Sequence, residues 1–232
     1  MPIKVSIVGI SGNIGKQLKS LLEEKKEFIL VGGISSTNSN DETFKKICAL
    51  SDVVIDFSCN ESIEKLLPQA ISHKVALVIG STGYTEEQLQ KILAASKEIP
   101  IFHSSNFSVG VHVFKKLIET LCFGLSEYSV NLIEWHRQNK KDTPSGTALS
   151  LINEIKKYSN QVVETTSIRA GNNFCEHLLS FTNNSERITV KHEVCDKKTF
   201  ALTALDAALF ILSKQIGYYE MEDLIGSLAC KQ

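Results

Sequence analysis

The sequence has no surplus of either charge: 25 Lys and Arg stand against 26 Asp and Glu, a formal net charge of -1 over 232 residues. Without a basic excess there is no general attraction to nucleic acid or to an anionic membrane surface, and neither partner is expected. Nor is there an apolar run long and uninterrupted enough to span a bilayer. Cys48, Cys59, Cys122, Cys175, Cys195 and Cys230 are dispersed, with no C-x-x-C pair and no metal-like spacing with histidine. Neither a disulfide framework nor a bound metal is expected, and the thiols read as buried or idle in a reducing cytosol. Met1-Pro2 runs straight into a strand pattern, so no signal peptide is expected and the predicted location is cytoplasmic. Internal repeats and low-complexity tracts are also missing. What is present is 43% hydrophobic residues, ample for a core in one large or two modest domains.

The first half alternates strand and helix patterns. Residues 3–8 (IKVSIV) form a β-branched apolar run that enters Gly9-Ile10-Ser11-Gly12-Asn13-Ile14-Gly15, followed by a helical pattern over 16–26. Strand, glycine turn and helix in that order bring backbone N–H groups against a pyrophosphate. The spacing is G-x-x-G-x-x-G, with Ser11 at the usual second glycine of G-x-G-x-x-G. A second strand, 28–34, ends at Ser35-Ser36-Thr37-Asn38, where a nucleotide-binding sheet reads the adenosine ribose. No charged residue stands there, so NADH and NADPH both remain open as cofactor. Helical patterns over 41–50, 60–73 and 85–96 then alternate with strands at 52–57, 76–79 and 99–103. This predicts a doubly wound parallel sheet of the Rossmann type. Ligands of such sheets lie beyond the carboxyl ends of the strands, which is where Gly9 to Ile14, Gly80-Ser81-Thr82 and Ser104-Ser105-Asn106-Phe107 fall.

After Phe107 the rhythm changes. A long apolar helix is predicted over 109–126, a strand over 130–135, a helix over 145–158, and strands over 165–169, 176–181 and 187–194. Strands in series predict a second, α+β domain with a mixed or antiparallel sheet. A helix over 200–215 and a short tail at 221–228 follow. The expected division is a dinucleotide-binding domain over 1–107, with the tail 208–232 returning to it, and a substrate-binding and oligomerisation domain over 108–207. The densest chemistry lies in EWHRQNKKDTPSGTA, residues 134–148. His136, Arg137, Lys140 and Lys141 precede a helix opening at Ser145-Gly146-Thr147, whose unpaired N–H groups favour an anion. A small anionic substrate would find there both a cradle and a proton source.

With GISGNIG, DFS (56–58), GSTG (80–83), SSNFSVGV (104–111), RAGNNFCEH (169–177) and ERITVKHEV (186–194), this motif resembles the dihydrodipicolinate reductase family across essentially the whole chain. The resemblance implies NADPH- or NADH-dependent reduction of 4-hydroxy-tetrahydrodipicolinate, a small dicarboxylate, to tetrahydrodipicolinate on the diaminopimelate route to lysine. It implies a homotetramer assembled through sheets of the second domain. It makes His136 the proton donor and Lys140 its acidic or electrostatic partner. Gly146 and Thr147 become substrate ligands, which Ser145 and Arg137 join by their own hydroxyl and guanidinium chemistry. Gly9, Ile10, Ser11, Gly12, Asn13, Ile14, Gly80, Ser81, Thr82, Ser104, Ser105, Asn106 and Phe107 become cofactor contacts, with Ser35 and Ser36 added by their place after the second strand. His177 and His192 match family positions without an assigned role, and His73, His103 and His112 read as structural. The chain departs from the family pattern at Arg137, where a second histidine is usual, at Ser35 and Ser36, at Cys175, where glycine is usual, and at Asp206. Two rival readings share parts of this set. A related two-domain amino-acid dehydrogenase would lack the PSGTA loop, and a nicotinamide-binding redox sensor would have no need of His136 and Lys140.

Overall fold

The structure, a computed structural model, describes residues 1–172 and 175–229. Asn173 and Phe174 of the RAGNNFCEH signature, and the end of the expected tail with Cys230, lie outside the described residues. In chain order the elements are β1 (Ile3–Val8), α1 (Asn13–Glu24), β2 (Phe28–Ile34), α2 (Asp41–Leu50), β3 (Val53–Asp56), α3 (Ile63–His73), β4 (Ala76–Ile79), α4 (Glu86–Ala95) and β5 (Pro100–His103). They continue with α5 (Val109–Gly124), β6 (Ser129–His136), α6 (Gly146–Tyr158), β7 (Val163–Arg169), β8 (Cys175–Thr182) and β9 (Arg187–Glu193). Last come α7 (Lys198–Leu212), β10 (Gly217–Tyr219) and α8 (Met221–Ala229). The chain forms two compact units, one of Met1–Phe107 with the segment from Lys198 onward, the other Ser108–Lys197.

The first unit is a six-stranded sheet in the order β10-β5-β4-β3-β1-β2, with every pairing parallel. Every residue of β3 and β4 is buried, as a sheet covered on both faces requires, and this is why these strands read as unbroken apolar runs. The helices start where their caps dictate. Asn40 accepts from Thr43 N at α2, and Thr85 with Gln88 forms a reciprocal capping box at α4. Strand β1 has β2 on one side and β3 on the other, so the chain leaves it in opposite directions. The crevice beyond its carboxyl end is the switch point where such sheets take ligands.

Two expectations need correction. The return to the first unit begins at Lys198, and a boundary at 207 would cut α7. That helix buries Ala201, Thr203, Ala204, Leu205, Ala207, Ala208, Phe210 and Ile211 and packs on α1, β3, β4 and β5. With apolar side chains around so much of its circumference it belongs to a core along its whole length. The second correction is β10, which pairs with β5 from Gly217–Tyr219. Three residues are too few to show an alternation, and only the open edge of β5 makes them a strand.

The second unit is a four-stranded mixed sheet, β7-β6-β8-β9, with β6 and β7 parallel and the other pairs antiparallel. Helices α5 and α6 cover one face over Val130, Leu132, Leu179 and Phe181. On β6 the same face continues, two residues at a time, through Glu134 and His136. Both are buried. One sheet face therefore changes from apolar to polar along its length, and the change comes where α6 begins.

Candidate functional site

In the first unit the carboxyl end of β1 runs into Gly9, whose φ of 84° lies in the left-handed region. A Cβ at Gly9 would stand 2.5 Å from the Phe57 carbonyl oxygen, and one at Gly15 would stand 2.1 Å from that of Gly9. Neither position admits a side chain without moving backbone. The N–H groups of Gly9 and Ile10 reach the Ile34 carbonyl, and Gly12 N closes on the Gly9 carbonyl. No side chain caps α1, which leaves its first-turn donors at Asn13 and Ile14 without intrahelical partners. A cavity of about 450 Å³ is lined by Gly9, Ser11, Gly12, Ser35, Ser36 and Phe57 among others. Of the expected cofactor contacts, Gly9, Ser11, Gly12, Ser35 and Ser36 are the ones brought together there.

The remaining first-unit residues hold their loops together. Ser81 is buried and its hydroxyl accepts from Ser58 N at 3.0 Å. Ser104 donates to the Asn106 carbonyl and accepts from Asn106 N. Phe107 is buried against Phe57 and Phe102, and Gly80 is held tight by the Phe57 ring. Thr82 and Ser105 are exposed. Asp56, unassigned by the sequence reading, is buried and accepts from Ser58 N, Ser58 Oγ and Ser62 Oγ. Burial pushes its carboxyl upward, against those hydrogen bonds.

The polar end of the second sheet is built by register. Glu134 pairs with His177 across the β6–β8 ladder, and His136 pairs with Cys175. On the other side the same two residues pair with Ser167 and Arg169. Residues directly opposite in a ladder share a face, so these six side chains cluster. His136 Nδ1 lies 2.5 Å from Glu134 Oε2, an ion-pair contact whose two atoms make no well-aligned hydrogen bond. Glu134 Oε1 accepts from Arg169 Nη2 at 2.6 Å and from Ser145 N at 3.1 Å. Ser145 Oγ accepts from Ala148 N as the α6 cap and meets His177 Nε2 at 3.2 Å. Cys175 Sγ lies 3.3 Å from His136 Nε2. Glu134, His136 and His177 hold ligand-type atoms within 4.8 Å of one another. The carboxylate–imidazole approach is shorter than the roughly 3.3 Å between donors that bonds of about 2 Å to a metal would set. Arg169 already supplies the cation, so the geometry is that of a hydrogen-bonded ion-pair network.

The electrostatics follow from this packing. Burial opposes the Glu134 charge, but hydrogen bonds from Ser167, Arg169 and Ser145 outweigh it and hold its pKa down at about 2. Burial lowers His136, with Lys140 and Arg169 acting the same way and Glu134 opposing. Burial lowers His177 to about 4. Both shifts predict a loss of stability in acid. The unfolded chain protonates His177 below its ordinary 6.5, while the folded chain does so only near 4, so that contribution is complete above pH 6.5 and is lost on the way down to 4. The Glu134 contribution is complete above 4.5 and is lost between there and about 2. Thermal midpoints measured from pH 7 to 3 should fall in both windows, and His177→Gln should shrink the upper one, leaving the share of His136, His103 and His192, which burial also lowers.

Among the expected substrate ligands, Gly146 is exposed with open space where a Cβ would stand, and Arg137 is exposed. Thr147 follows Gly146 in the first turn of α6. Lys140 Nζ pairs with Asp142 at 2.8 Å, and the Lys140 ammonium, then the backbone N–H of Asp142 itself and last that of Gly146, hold the Asp142 carboxyl below its usual range. A carboxylate of the chain thus lies on the cradle expected for a substrate carboxylate. Ser145 is buried, with both polar groups engaged by Glu134, His177 and the helix cap. Glu134, Arg169 and His177 were present in the quoted motifs but had no role. Continuing the period of two along SVNLIEWH, from Val130 and Leu132 to Glu134 and His136, would have placed the carboxylate beside the imidazole.

Sequence models described as "Dihydrodipicolinate reductase, N-terminus" and "Dihydrodipicolinate reductase, C-terminus" match residues 3–107 and 110–225. The 4-hydroxy-tetrahydrodipicolinate reductase of Rickettsia peacockii is 33% identical, over 94% of this chain and 98% of the relative. That of Caldanaerobacter subterraneus is 34% identical, over 97% and 99%. Among solved structures, a dipicolinate-bound dihydrodipicolinate reductase from Paenisporosarcina sp. TG-14 has the same fold, with a TM-score of 0.79 at 18% identity over 95% of this chain and 98% of that one.

Proposed function

The chain belongs to the dihydrodipicolinate reductase family, and on that premise we propose the residues through which it reduces 4-hydroxy-tetrahydrodipicolinate to tetrahydrodipicolinate in diaminopimelate and lysine biosynthesis. The observation that carries the assignment is the buried Glu134–His136 contact at 2.5 Å, a proton donor held by a carboxylate. The first unit suits a dinucleotide: Gly9 and Gly15 admit no Cβ, α1 is uncapped, and a cavity adjoins both. When bound, the nicotinamide supplies a hydride, so that substrate, reduced cofactor and one proton give tetrahydrodipicolinate, oxidised cofactor and water.

His136 delivers the proton from Nε2 as its imidazolium, and the Glu134 carboxylate at Nδ1 stabilises that cation. The dianionic substrate adds two negative charges near an imidazole that burial and neighbouring cations hold below its ordinary pKa. Its arrival therefore charges the donor. Lys140 and the Gly146 and Thr147 N–H groups take a substrate carboxylate in place of Asp142, and Arg137 grips it from the exposed side. Ser145 acts through Glu134 and His177. Assembly into a homotetramer through the second sheet is supported by its uncovered face, where Ile133 and Trp135 are 38% and 36% exposed beside Ile168 and Leu178; sedimentation of the full chain tests it.

Turnover is tested by the near-ultraviolet absorbance of reduced cofactor mixed with enzymatically generated substrate. Tight cofactor binding with no turnover would favour the redox sensor. The cavity beside Ser35 and Ser36 is lined by one cation, Lys65, and one carboxylate, Glu61, so neither a ribose diol nor a 2′-phosphate meets a dedicated partner. The proposal is that both cofactors serve, with kcat/KM for NADH and NADPH within about tenfold; a larger ratio either way would refute it.

A further inference from the structure

Cys175 lies at the centre of the second-unit cluster, yet the reduction as derived gives it no task. The β6–β8 register sets Cys175 directly opposite His136, so any side chain at 175 points to the same face as the imidazole. Its Sγ comes within 3.3 Å of His136 Nε2. Nδ1 already faces Glu134, and both ring nitrogens are therefore engaged within the chain. The thiol meets the one nitrogen from which a proton can leave.

We infer that Cys175 is a positioning residue: its thiol holds the His136 ring by Nε2 and sets the pH above which the ring no longer gives up a proton. The inference rests on His136 being the proton donor. With Nδ1 in ion-pair contact with Glu134, the S–H donates to Nε2 of the neutral imidazole. Once Nε2 is protonated the thiol must accept instead, and sulfur is a weak acceptor. Cys175 therefore favours the neutral ring over the imidazolium by more than water at that place would. In the reaction the Nε2–H proton passes to the substrate, and the thiol contact then holds the neutral ring until solvent reprotonates it. The other charged and titratable groups facing the ring are Glu134 on its own strand, Arg169 on β7, His177 on β8 and Lys140 in the following loop. Glu134 favours the imidazolium and the rest oppose it.

The test is kcat/KM against pH for the full chain and for Cys175→Ser, Cys175→Ala and Cys175→Gly. The falling limb on the alkaline side reports protonation of the free enzyme's acid. Ala and Gly should move that limb up by about half a pH unit or more, and Ser, whose hydroxyl still donates to the neutral ring but accepts from the imidazolium better than sulfur does, should move it up by less. A parallel titration of the His136 ring by nuclear magnetic resonance in the folded parent and the Ser and Ala variants should give the same order without relying on turnover. If all three substitutions lower kcat/KM with the limb and the ring titration unmoved, Cys175 only fills space and the inference is overturned. His136→Gln separates the two levels: near-parental turnover there would remove the proton-donor reading itself, whereas an inactive His136→Gln beside unmoved Cys175 limbs would remove only the inference.

Discussion

His136→Gln is expected to lower kcat by about 10²- to 10⁴-fold while KM changes by no more than about threefold. Glutamine fills much of the imidazole volume and offers an N–H at a similar reach, but it cannot carry and release a proton near neutral pH. The lost contribution is one made in the transition state, because the substrate gains basic electron density only as the hydride arrives. Steady-state rates at saturating substrate, with the Kd of the reduced cofactor measured separately, give the comparison. A rise in KM at unchanged kcat would make His136 a ligand. The alkaline limb of the parent profile should be missing in the variant, since its titrating group has gone.

The largest effect on stability should come from Glu134→Ala. Glu134 is fully buried and its carboxylate faces four groups at once: Arg169, the Ser145 N–H, Ser167 and His136. Removing it takes the carboxylate partner from the guanidinium, whose side chain is 16% exposed and which keeps only neutral acceptors at Ile168, Asp142 and Thr143, and leaves a buried backbone donor unpaired. Breaking a buried pair from one side costs about 3–5 kcal/mol, so the unfolding midpoint should fall by roughly 10 °C. Glu134→Gln keeps an oxygen for Ser145 and Arg169 and should cost far less. It also removes the charge that favours the imidazolium, so its alkaline limb should move to lower pH while Cys175→Ala moves to higher pH. Opposite displacements from the two nitrogens would identify one ring between two partners. A Glu134→Ala protein as stable as the parent would show that Arg169 is satisfied without the carboxylate.

The elements most legible in the sequence were those that carry their own punctuation. β2, α2 and β4 have the bounds that their residue patterns predicted, because apolar runs and a cap such as Asn40 act over a few residues. β10 was missed and α7 was divided because each owes its place to a distant partner, the edge of β5 and the face shared by β3, β4 and β5. In the site, His136 and Lys140 stood out as residues close together in a charged loop. The acceptor that holds His136, Glu134, looked like one acid among 26 Asp and Glu.

The sequence alone determined the alternation of buried strands and amphipathic helices, the glycine turn after β1 and the cap at Ser145, since each depends on steric and hydrogen-bonding rules within a few residues. Only the tertiary structure decided that Glu134 would face His177 and Arg169 and that Cys175 would lie against His136. A ladder register joins residues 39 to 43 apart, as His136 to Cys175 and Glu134 to His177. A slip of one strand by one residue would turn its two side chains to the opposite face from their partners, and what prevents that slip is the burial of Val130, Leu132, Leu179 and Phe181 beneath α5 and α6.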